Sequence, residues 1–79
     1  MKKDFGLSQE VFGAPLINIV GNNSCELLNH RGIRAFSETE IIVMTKAGDI
    51  KISGRFLTIK QIDGDGIRVE GTLLGLAWV

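Results

Sequence analysis

From Pro15 onward the chain interrupts itself every five to nine residues with a turn-forming cluster. Gly21-Asn22-Asn23, Asn29-His30-Arg31-Gly32, Ser37-Glu38-Thr39, Lys46-Ala47-Gly48, Gly54, Asp63-Gly64-Asp65-Gly66 and Gly71 follow one another in this way. Gly, Asn and Asp supply the positive-φ and side-chain-bonded positions that tight turns need. No run between them has helical length and a 3.6-residue apolar period. A helical fold has no support after Pro15, and a series of short strands does.

The runs between the turns are Leu16–Val20, Ser24–Leu28, Ile33–Phe36, Glu40–Thr45, Asp49–Ser53, Arg55–Ile62, Ile67–Glu70 and Thr72–Val79. They are rich in residues that lose rotamer freedom in a helix and pack well on a pleated surface: ten Ile, five Val and four Thr. Asp49–Ser53 alternates, with Ile50 and Ile52 on one face and Asp49, Lys51 and Ser53 on the other. The expected fold is all-β: a small antiparallel sandwich of about seven or eight short strands, joined by sequential hairpins, over residues 15–79. A short β-solenoid or barrel is the alternative, although no fixed repeat period supports a solenoid. Residues 1–14 read as an N-terminal arm or short helix. Phe5, Leu7, Val11 and Phe12 supply apolar contacts there, and Pro15 ends any helix.

Seventy-nine residues make one domain. A domain of this size buries only about 60% of the surface of its unfolded chain, so close packing or association has to supply stability. Nine basic residues balance nine acidic ones. Zero net charge removes the long-range pull toward nucleic acid or an anionic membrane. The basic residues Arg31, Arg34, Lys46, Lys51, Arg55, Lys60 and Arg68 are mostly interleaved with acids, as on a solvated strand face. Gly6, Ser8, Gln9, Glu10 and Gly13 break up the start of the chain, so no signal-peptide apolar core follows Met1-Lys2-Lys3-Asp4. No run is long enough to span a bilayer. The lone Cys25 suits a reducing compartment. A soluble cytoplasmic protein is expected.

No enzymatic constellation stands out. His30 is the single histidine. Five extended residues would separate it from Cys25 by about 16 Å, too far for a dyad. Asp63-Gly64-Asp65-Gly66 resembles the start of a calcium loop but lacks the further oxygen ligands, and reads better as a tight turn. Neither a phosphate-binding glycine loop nor a zinc cluster is present in the sequence. No catalytic residue, metal site or cofactor is expected. Asn29, His30, Arg31 and Gly32 read as a hairpin turn, with Asn29 bonding its own backbone and Gly32 left-handed, and as the candidate recognition tip of a rigid sheet. The apolar stretch Leu73–Val79, with Trp78, reads either as an inward-alternating strand or as an edge that pairs with another chain.

The run Leu28-Asn29-His30-Arg31-Gly32-Ile33-Arg34-Ala35-Phe36-Ser37-Glu38-Thr39-Glu40-Ile41 resembles the YabP and YqfC family of sporulation proteins. Gly48-Asp49-Ile50-Lys51-Ile52-Ser53-Gly54, Leu57-Thr58-Ile59-Lys60 and Val69-Glu70-Gly71 follow the same pattern. The resemblance covers about residues 15–79. It implies a small β domain acting in spore formation, in the mother cell or around the developing coat, without enzymatic activity. A scaffold or assembly module with protein partners, self-associating through strand edges, is the function expected. A small cytosolic ligand-binding or regulatory β domain, with a pocket between its sheets, is the alternative.

Overall fold

The structure, a computed structural model, describes residues 14–64 and 66–79. The expected N-terminal arm or short helix falls, Ala14 apart, outside the described residues. Six strands form among the described residues: β1 (Leu16–Val20), β2 (Ser24–Leu28), β3 (His30–Phe36), β4 (Glu40–Thr45), β5 (Gly48–Ile62) and β6 (Gly66–Trp78). They make one open antiparallel sheet in the order β1-β2-β6-β5-β4-β3.

The sheet is doubled over. Thr45 pairs with both His30 and Gly48, so His30 lies level with the start of β5. Were β5 straight, Asp63 just past its end would lie about 50 Å away. Yet the His30 Nε2 atom is 2.9 Å from the Asp63 carbonyl oxygen. The 15-residue β5 therefore folds back along its length. One half of the sheet contains β1, β2, the start of β6 and the end of β5, joined by the pairs Ile19–Cys25, Cys25–Val69 and Ile59–Val69. The other half contains β3, β4, the start of β5 and the end of β6, joined by Ile33–Val43, Val43–Ile50 and Ile52–Leu76.

The core lies between the halves. Cys25, Leu27, Ile67 and Val69 come from the first, Ile41, Val43, Ile50 and Ile52 from the second, and Leu57 from the bend. These are the alternate positions of each strand, as the period of two requires. Full burial of each Ile, Leu or Val contributes about 1.5–3 kcal/mol. Thr45 is the polar residue buried with them, and it is satisfied: its hydroxyl donates to the Gly48 carbonyl at 2.6 Å and accepts from the Ala47 N–H at 3.1 Å.

Two glycines make the bend. A methyl group on Gly54 would sit 2.1 Å from the Thr72 carbonyl oxygen, and one on Gly71 2.7 Å from that of Phe56. The backbones of β5 and β6 thus meet where a side chain has no room. Hairpin turns supply hydrogen bonds there. The Gly54 and Leu57 N–H groups donate to Thr39 and Glu38 in the β3–β4 turn at 3.0 and 2.8 Å. Those of Gly71 and Leu73 donate to Asn23 and Asn22 in the β1–β2 turn at 3.2 and 2.6 Å. The Ser37 hydroxyl braces the β3–β4 turn by accepting from the Glu40 N–H at 3.0 Å.

The all-β antiparallel class and the sandwich-like layering agree with the sequence. The strand count differs because Gly54 and Gly71 bend strands rather than end them, merging four expected strands into two. The order also departs from sequential hairpins. The chain between β2 and β3 crosses from one half to the other, and β6 inserts between β2 and β5.

Candidate functional site

The expected tip, Asn29–Gly32, is not a hairpin turn: Asn29 alone carries the chain across from β2 to β3, which lie at different places in the sheet, and His30, Arg31 and Gly32 open β3. Asn29 takes the left-handed conformation, φ +66°, that lets a single residue redirect the chain. Its Nδ2 donates to the Ala14 carbonyl at 2.8 Å, tying the entry of β1 to the crossover, instead of bonding its own backbone. Gly32 has φ +126°, the positive value its sequence position suggested.

His30 closes one side of the sandwich. Its Nδ1 accepts from the Gly32 N–H at 2.9 Å. That bond requires Nδ1 to be unprotonated, so Nε2 carries the hydrogen and donates to the Asp63 carbonyl. Asp63 is ordered in turn: its Oδ1 accepts from the Gly66 N–H at 2.8 Å, and its own N–H donates to the Gly66 carbonyl at 2.9 Å. His30 thus acts as a clasp. Arg31 beside it is exposed and turned to solvent.

Cys25 takes no part in this cluster. It is 1% exposed, and burial first, then the neighbouring Glu26 carboxylate, push its pKa up. A thiol held protonated is a poor nucleophile. Among the described residues no group of three or more His, Cys, Asp or Glu side chains is placed to hold a metal ion.

The other side of the sandwich is open among the described residues. Leu76 and Trp78 face inward, opposite Ile52 and Ile50. Leu74 does not, because a register shift between Ser53 and Gly54 leaves it extra and turns it to solvent. Of the inward alternation expected along Leu73–Val79, Leu76 packs against the core, whereas Leu74 is turned to solvent and Trp78 stays at the exposed rim. Among the described residues the end of β6 pairs only with β5, and Trp78 stays 59% exposed, packing beside Gly48 and sharing a hollow with Ile17, Ile50, Leu76 and Ala77.

A second apolar feature lies at the bend. Phe36 and Phe56 rim a hollow with Glu38, Leu57 and Thr58. Phe56 is 75% exposed and has φ +55°. Bulky residues rarely adopt that region, which Gly or Asn enters at much lower cost. Sequence reading missed this site. No local signal marks a positive φ at a phenylalanine, because the neighbouring β6 backbone imposes it. The space between the halves, where a ligand pocket was the alternative expectation, holds the nine core side chains.

Fold and site together define a small, doubled-over antiparallel β domain whose outer strand edges are unpaired among the described residues and whose aromatic residues are exposed. Residues 14–79 match the YabP family, and the chain belongs to that family. It is similar to the uncharacterized protein YqfC of Bacillus subtilis (strain 168), 42% identical over 59 residues. That match covers 75% of this chain and 63% of the relative, so the chain spans under two thirds of the relative's length. No helix among the described residues is long and apolar enough to cross a membrane.

Proposed function

We propose that this chain is a non-enzymatic protein-interaction module of sporulation, working as a scaffold or assembly element in the mother-cell cytoplasm or at the developing spore coat. One observation carries the reading: Phe56 is both left-handed and 75% exposed. Such strain costs about 1–3 kcal/mol, and a ring this exposed adds little compensating burial among the described residues. Asn or Gly at this position would suit the bend better. A bulky aromatic there gains its value from contact outside the monomer, and Phe36 across the same hollow extends the apolar surface. Interfaces concentrate their binding energy in such aromatic anchors. Arg31, exposed beside the His30 clasp, adds a polar contact point at the start of β3. Open strand edges offer main-chain hydrogen bonds to protein partners, including other copies of the chain, without dedicated chemistry.

The test is a count of heat-resistant spores in an endospore-forming host. Deleting the gene lowers the count. Phe56→Asn lowers it as well, with the variant protein accumulating to the wild-type level. An unchanged count in the deletion strain overturns a role in sporulation. A normal count with Phe56→Asn overturns the role of the aromatic surface.

A further inference from the structure

The folded sheet leaves strand edges unpaired within the described residues: β1, β3, the end of β5 and the end of β6. Unpaired edges invite pairing with other chains, and charged side chains or bulges are the usual protection. β3 carries Arg31 and Arg34, and the end of β5 carries Lys60. The end of β6 is interrupted by the extra residue Leu74. β1 has neither device. It is five residues long, uncharged, in unbroken register with β2, and exposed at every position.

Its sequence is also self-complementary. Leu16-Ile17-Asn18-Ile19-Val20 reads nearly alike in both directions about Asn18. We propose that a second copy of this chain adds to the β1 edge, antiparallel, with the two Asn18 residues facing each other across a two-fold axis. Ile17 of each copy then lies opposite Ile19 of the other, on the side of the sheet that faces the open mouth. Leu16 lies opposite Val20 on the outer side. Asn18 meets Asn18 on that outer side too, where two carboxamides donate to and accept from one another. Directly opposed β-branched and amide pairs are the stabilising units of an antiparallel ladder. Pro15, which has no N–H, lies opposite Gly21 and limits the ladder to these five pairs. Such an interface is isologous, so it closes as a dimer and leaves the other edges free. Because Ile17 shares its hollow with Leu76 and Trp78, the second copy also approaches the exposed apolar mouth of the sandwich.

The proposal rests on the strand-edge association named above and specifies the edge and the register. Its test is the mass of the full 79-residue chain by sedimentation equilibrium up to high micromolar concentration. The expected result is twice the 8.6 kDa monomer. Asn18→Lys places like charges face to face at the axis and weakens association at least about tenfold. In the monomer it is tolerated, because residue 18 is exposed and pairs with Glu26 on β2. Asn18→Glu weakens association in the same way, and because it faces Glu26 on β2 its fold is verified by circular dichroism before mixing. Mixing the two variants restores the dimer, since Lys then faces Glu, and this rescue also establishes that both variants fold. A wild-type monomer at every concentration overturns the proposal. So does a dimer that Asn18→Lys leaves intact, or a mixture that stays monomeric. None of these outcomes alters the spore count of the Phe56 variant, so the two readings fail separately.

Discussion

Gly71 backs onto Phe56 so closely that a methyl group on Gly71 would lie 2.7 Å from the Phe56 carbonyl oxygen. The contact couples the two bends. The β6 backbone, at φ +138° in Gly71, occupies the space that forces β5 outward, and Phe56 takes φ +55° as a consequence. The fold of the sheet and the exposure of the aromatic ring therefore share one cause.

Substitution at this crossing is expected to be severe. Gly71→Ala and Gly54→Ala each destabilise by about 2 kcal/mol or more, through backbone clash at both and an unfavourable φ at Gly71. Urea denaturation checks this as a lowered midpoint. Gly75→Ala, where a methyl group meets nothing within 4 Å, serves as the control and shifts the midpoint little. A Gly71→Ala midpoint equal to that of the control would refute the close approach.

Phe56→Asn is expected to stabilise the isolated protein by about 0.5–1 kcal/mol. Asn enters the left-handed region readily, and a ring this exposed gives up little packing. Thermal unfolding measures the gain. Paired with a falling spore count, it would give opposite effects on stability and function, the pattern expected of a strained interaction residue.

His30→Ala removes the clasp. Two hydrogen bonds are lost, to Asp63 and from Gly32, at a cost of about 1–2 kcal/mol. Amide exchange should quicken most at Gly32 and the β5–β6 turn. Arg31→Ala leaves stability within about 0.5 kcal/mol, as exposed substitutions usually do. Arg31, rather than His30, is thus the clean probe of recognition at the start of β3. A spore defect with Arg31→Ala in a normally stable protein assigns it contact with a partner, and a normal count removes it from the interface.

Cys25 gives the fold a defined pH dependence. Burial and then Glu26 raise its folded pKa above the unfolded one, so the folded state holds the thiol proton more tightly. The associated stability is fully present below the unfolded thiol pKa and is lost as pH rises through the folded pKa. Stability therefore declines on the alkaline side, and Cys25→Ala, despite its cavity, shows a shallower decline. A thiol reagent should modify native Cys25 only as fast as the domain opens. Fast stoichiometric labelling of native protein would contradict the burial.

Much of the local structure is legible in the residues alone. The β-branched runs form strands, Ile50 and Ile52 point inward, and the Asn29–Ile41 pattern identifies the family. Those properties are determined within a few residues, by side-chain shape, two-residue periodicity and turn chemistry. Other features are decided only by the tertiary structure. Gly54 and Gly71 have the composition of strand ends, and they bend instead because a distant backbone passes too close for any side chain. Asn29–Gly32 has the composition of a hairpin tip, yet Asn29 becomes a one-residue crossover and the other three open β3, because β6, formed last in the chain, takes the place beside β2. Phe56 is left-handed because the β6 backbone crosses close beside it, and β1 has β2 as its one neighbour among the described residues. Each outcome depends on which segments meet across the fold, and a residue's own neighbours in sequence carry no record of that meeting.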